Sequence, residues 1–192
     1  LDVKTNVTVK DGEISDVTIR VLTGGDLTIK NGTYKTVKDG GNVLYLEGGA
    51  TLIENGTFTG ETSQTGALAL NVAGGNNTIK GGEFNGTICA LINHQYGGLT
   101  TITGGSFTGE SAGMMLGGDN ILLKPASDDA PITITYTNTT LATGGAVLKN
   151  NDVLLFVNNY GFFDASGNQI PEDYNSTERY LIGNGTSAIQ TV

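Results

Sequence analysis

The chain has 192 residues; 38% are apolar, only 15% are charged and 30 are Gly, with a net charge of −9. Its 10 Lys and Arg are scattered, which excludes a nucleic-acid surface that works by displacing counterions. No apolar run approaches the roughly 18 residues of a membrane span, so no membrane insertion is expected. One Cys excludes an internal disulfide framework. Cys89 sits in the apolar text TICALI and reads as a small buried hydrophobe. The chain opens at Leu1 with no leader-like segment; it reads as a mature or trimmed part of a longer protein.

In chain order, the text repeats itself. LTIKNGTYKT at 27–36 returns as TLIENGTFTG, NTIKGGEFNG and TTITGGSFTG. Three columns organise the copies. Val9, Ile29, Ile53, Ile79 and Ile102 form an aliphatic column, at intervals of 20, 24, 26 and 23 residues. Gly12, Gly32, Gly56, Gly82 and Gly105 follow three positions later, and Ile14, Tyr34, Phe58, Phe84 and Phe107 two beyond those. Gly-Gly pairs ending at Gly25, Gly49, Gly75 and Gly98 precede the aliphatic residue by four positions; a fifth, ending at Gly118, leads to Leu122. Each pair is itself preceded by an apolar segment: TIRVL, VLYLE, ALALNV, ICALIN and GMML.

Short alternating segments suit half-buried strands, and Asn-Gly and Gly-Gly supply sharp corners. The expected fold is all-β, a solenoid in which each strand lies beside its copy in the next coil. A single coil buries too little to fix its own backbone, so stability must come from neighbours. Helices are disfavoured by the lack of an i, i+3, i+4 pattern and by abundant Gly, Thr and Asn. Regular coils are expected over residues 1–123. Beyond them, PITITYT, AVLKN and NDVLLFVNN still read as strands, but the Gly-Gly metre lapses. Residues 124–192 therefore read as irregular final coils and a cap of the same domain.

The motif text resembles the right-handed, single-stranded parallel β-helices of the pectin-lyase-like superfamily. It is most similar to GGTF-repeat, adhesin-like bacterial surface proteins, over about residues 7–123. The resemblance implies a secreted or cell-surface location and adhesion or polysaccharide binding. The superfamily also includes lyases with carboxylate-held calcium and a basic partner, and hydrolases with paired Asp, His and Arg-x-Lys elements. This chain has Arg only at Arg20 and Arg179 and its one His at His94. The pair Asp128-Asp129 lacks a basic partner. A non-catalytic module is therefore expected, with a polysaccharide lyase or hydrolase as the alternative and a structural stalk as a third reading.

Candidate ligand contacts are Tyr45, which should point outward between Leu44 and Leu46, and an expected polar column of Glu47, Asn71 and Asn93. His94 and Tyr96, in NHQYGG, complete the set; a lone His lacks metal co-ligands. Calcium is conceivable at Asp39, Asp119, Asn120, Asp128 and Asp129, which are oxygen-rich, but no ligand spacing joins them. Sequons such as Asn31-Gly-Thr and Asn55-Gly-Thr are explained by turn chemistry. KTVKDGGN (35–42) and TGETSQTG (59–66) occupy equivalent places in successive coils, so they should emerge side by side as a rim. A polysaccharide or a host cell-surface glycan is the expected partner.

Overall fold

A computed structural model describes residues 1–62, 66–94, 97–110, 112–116 and 121–136, together with strands Gly144–Leu148, Leu154–Phe156, Phe162–Phe163, Tyr180–Ile182 and Ser187–Ile189. The described residues contain strands and no α-helix. Those up to residue 136 form a parallel β-solenoid of three sheets, each turn contributing one strand to each sheet, and Tyr180–Ile182 pairs antiparallel with Ser187–Ile189 in a separate two-stranded sheet. The rung that shows the pattern best is the third: Asn42–Leu46 in the first sheet, Ala50–Ile53 in the second, Thr57–Gly60 in the third.

Below it lie Ile19–Val21, Asp26–Ile29 and Thr33–Thr36, and below those Asp2–Val3, Asn6–Val9 and Glu13–Ser15. Above it the fourth rung is Leu68–Val72, Asn76–Ile79 and Glu83–Gly86, and the fifth is Cys89–Asn93, Leu99–Ile102 and Gly105–Gly109. The sixth, Ala112–Leu116, Ile121–Leu123 and Ile132–Tyr136, continues the parallel stacking past residue 123. Antiparallel strands then take over. Gly144–Leu148 pairs with Ile132–Tyr136, and Leu154–Phe156 pairs with Ile121–Leu123.

The register confirms the three expected columns. Val9, Ile29, Ile53, Ile79 and Ile102 are successive partners, and Leu123 extends the row. Tyr34, Phe58, Phe84 and Phe107 are fully buried and stack with centroids 4.9, 4.8 and 4.7 Å apart and interplanar angles of 8°, 6° and 3°. That separation is the spacing of neighbouring strands, so the ladder itself imposes the ring stack. The glycine column precedes it because its backbone is left-handed: φ is +136° at Gly56 and +114° at Gly82. A side chain at either position would be strained.

Two polar intrusions enter the interior. In the second sheet Leu27, Thr51, Asn77, Thr100 and Ile121 are register partners, so a buried polar row lies between apolar ends. In the first sheet Asn93, also fully buried, continues the row Val3, Val21, Leu46, Val72. Cys89 is buried as expected, its thiol donating to the Leu91 carbonyl at 2.7 Å.

Candidate functional site

Side chains alternate across each strand, so an inward Phe forces the next residue outward. Thr59, Asn85 and Thr108 each follow a ring of the stack, and they are register partners on the outer face of the third sheet. The next position is Gly60, Gly86 and Gly109, where the chain turns sharply toward the first sheet. A Cβ at Gly60 would come 2.8 Å from the backbone of Ala67 and Leu68, and one at Gly86 would overlap the Cys89 carbonyl. Only Gly permits that close approach.

Beyond this corner the rungs differ in length. Five residues separate Thr36 from Asn42 and seven separate Gly60 from Leu68, but two separate Gly86 from Cys89. The long loops therefore stand as a wall beside the short corners. They lie side by side, as expected of the rim: the Lys35 ammonium is 2.5 Å from the Glu61 carboxylate, and the Thr62 hydroxyl donates to Asp39 Oδ1 at 2.7 Å. Ser63–Thr65 of the second loop lie outside the described residues. Thr87 fixes the base of the wall. Its hydroxyl accepts from the Thr62 amide at 3.0 Å and donates to the Gly60 carbonyl at 3.2 Å.

The result is an open cleft of about 250 Å³ spanning three rungs. Thr59, Asn85 and Thr108 line it along the axis, Thr62 and Thr87 from the corner, and Glu61 and Glu110 carry its charge. It offers a row of hydroxyl and amide groups at one rung per step on a rigid base. Among the described residues no group of three or more His, Cys, Asp or Glu could hold a metal ion.

The expected rim segment 59–66 lines this cleft through Thr59, Gly60, Glu61 and Thr62, whereas Tyr45, Glu47, Asn71, Asn93 and His94 do not. Tyr45 does point outward on the first sheet, between buried Leu44 and Leu46. Its ring carries the Arg20 guanidinium 5.9 Å from its centroid. Arg20 Nε donates to Glu47 Oε1 at 2.8 Å, and this hydrogen bond, with the Glu47 charge, holds the guanidinium above its ordinary value. Glu47, Asn71 and Asn93 do not form one column. Asn71 is the register partner of Tyr45 and Ile92 on the outer face, Asn93 pairs with Val72 in the interior, and Glu47 follows the end of its strand. Asn71 Nδ2 donates instead to Asn42 Oδ1 at 3.2 Å. His94 is half-buried just past its strand, while Tyr96 lies outside the described residues. Of the oxygen-rich loop residues, Asp39 is engaged by Thr62; Asp119 and Asn120 lie outside the described residues. The sequon residues Asn31 and Asn55 stack as turn residues, with Asn55 Nδ2 donating to Asn31 Oδ1 at 3.4 Å.

Thr59 and Thr62 fall in the expected rim segment, but Asn85 and Thr108 were missed because Thr and Asn carry no chemical signature. The signal was positional: each follows an inward aromatic.

No family model, curated protein or solved structure matches the chain. What stands is the architecture, a parallel β-solenoid.

Proposed function

We propose that the chain is a non-catalytic, glycan-binding module of adhesin type, exposed on a cell surface or secreted, within the right-handed pectin-lyase-like group that its repeats resemble. The observation that carries this reading is the cleft of Thr59, Asn85 and Thr108, flanked by Glu61 and Glu110. Polar groups repeat along it at the strand spacing of about 4.8 Å, close to the advance of one sugar along an extended chain. A polysaccharide lying along the axis would meet one hydroxyl or amide per unit. Hydroxyl and amide side chains fix sugar orientation without needing charge, and a rigid scaffold limits the ordering cost of binding.

Titration of the chain with a panel of oligosaccharides, followed by NMR shifts of the Thr and Asn signals, tests this. The expected result is a set of shifts confined to Thr59, Asn85, Thr87 and Thr108. Thr87→Val, which unfastens the wall, should weaken binding by about three- to tenfold through the lost hydrogen bonds. Shifts confined to Tyr45 and Asn71, or none with any glycan, would refute the assignment.

Release of reducing ends from any glycan of the panel would replace simple binding with the alternative reading of a polysaccharide hydrolase.

A further inference from the structure

We propose that the cleft prefers glycans bearing free, protonated amines, such as oligomers of glucosamine, over N-acetylated and acidic ones; this rests on the glycan-binding reading above. The donor and acceptor inventory points there. Both charged groups lining the cleft are carboxylates, and no Lys or Arg lines it. They stand on the third and fifth rungs, about 10 Å apart along the axis at the usual strand spacing. Glu61 already meets Lys35, whereas Glu110 enters no ion pair among the described residues.

Part of the donor capacity is already engaged within the protein. Asn85 Nδ2 donates to Glu83 Oε1 at 3.0 Å, which occupies one of its two N–H groups and brings a further carboxylate beside the row. The Thr62 hydroxyl donates to Asp39, and the Thr87 hydroxyl donates to Gly60. What the cleft still offers is rich in acceptors. An ammonium group is donor-only, with three N–H groups and a positive charge. An acetamide or uronate brings further acceptors, and a uronate adds like charge to a chain already at −9. An amino-sugar polymer along the axis can place ammonium groups against both Glu61 and Glu110.

The test is calorimetric titration of the whole chain with three oligosaccharides of equal length: glucosamine, its N-acetylated form and galacturonate. The titrations are run at pH 5.5, where the amines of the glucosamine oligomer are protonated. The amine form should bind tightest and the uronate weakest, with the gap closing as salt screens the charges. Glu110→Gln, an exposed and near-isosteric change, should narrow the preference for amine over acetylated ligand by about two- to fivefold. Equal binding of all three ligands, or a preference that Glu110→Gln does not touch, would overturn the amine selectivity but leave the glycan-binding reading standing. Failure of all three to bind would remove both.

Discussion

Tyr34 opens the ring stack, and its single hydroxyl distinguishes it from the Phe residues above. The ring is fully buried, and the hydroxyl donates to the Asn31 carbonyl at 2.8 Å at the Asn-Gly corner. Desolvation, and then the negative charge of Asp11, push its ionisation above the ordinary value. For an acid whose folded value is raised, the neutral form is favoured in the native state. No stability is therefore lost below the unfolded value of about 10. Above it the unfolded chain releases a proton that the folded chain retains, and stability falls as pH rises toward the folded value. Tyr34→Phe should cost about 0.5–1.5 kcal/mol at neutral pH, the worth of the hydrogen bond, and should flatten the alkaline decline. Urea midpoints from pH 8 to 11 for both proteins provide the comparison; parallel slopes would show that Tyr34 is not the group responsible.

At the scale of the strand, periodicity was legible wherever the side chain and the spacing agreed. Ile29, Ile53 and Ile79, or Phe58, Phe84 and Phe107, announce their columns by type and by a fixed distance from Gly. Glu47, Asn71 and Asn93 were harder to place because polarity alone aligned them. Leu46, Val72 and Asn93 share a register row; Asn71 stands one position before that row and Glu47 one after it. A slip of one residue moves a side chain to the other face. The interior row Thr51, Asn77 and Thr100 was hidden for a different reason: alternating Thr and Asn look like an outer face. Asn77 Nδ2 donates to Gly74 O at 3.1 Å and to Thr100 Oγ1 at 3.0 Å, whereas the buried Thr51 hydroxyl and Asn77 Oδ1 have no partner among the described residues. The row thus mixes satisfied and unsatisfied groups, and two substitutions separate them. Thr51→Val removes an unsatisfied hydroxyl at nearly constant shape and should stabilise by up to about 1 kcal/mol. Asn77→Ala strips the Gly74 carbonyl and Thr100 of their donor and leaves a cavity, and should cost about 1–3 kcal/mol. Thermal unfolding of the pair reads the contrast directly; destabilisation by both would mean that the Thr51 hydroxyl has a bonded partner in solution, such as a buried water.

Across the whole molecule, each rung is held only by the rungs above and below it, so stability should vary along the axis rather than be shared evenly. The sixth rung carries antiparallel strands on two of its three sides. The first rung carries no strand on its outer side among the described residues, and its core residues Val7, Val9 and Ile14 are only partly buried, although their counterparts Leu27, Ile29 and Tyr34 are buried. The amides of Lys30 and Thr33 donate down to this rung, to the carbonyls of Val9 and Gly12, both at 2.8 Å. Lys80 and Glu83 make the equivalent bonds two rungs higher, to Ile53 and Gly56, also at 2.8 Å. Local geometry is the same, so any difference in hydrogen exchange reports cooperative opening of the rungs rather than bond quality. In the 192-residue chain taken alone, Lys30 and Thr33 should exchange at least about tenfold faster than Lys80 and Glu83, since end units open at lower free energy than central ones. Ile14→Ala should accelerate Thr33 further and leave Glu83 unchanged, because Ile14 touches only the neighbouring rung of the ring stack. Uniform protection at all four amides, moved together by Ile14→Ala, would show that the solenoid opens as a single unit and that coupling runs the full length of the aromatic stack.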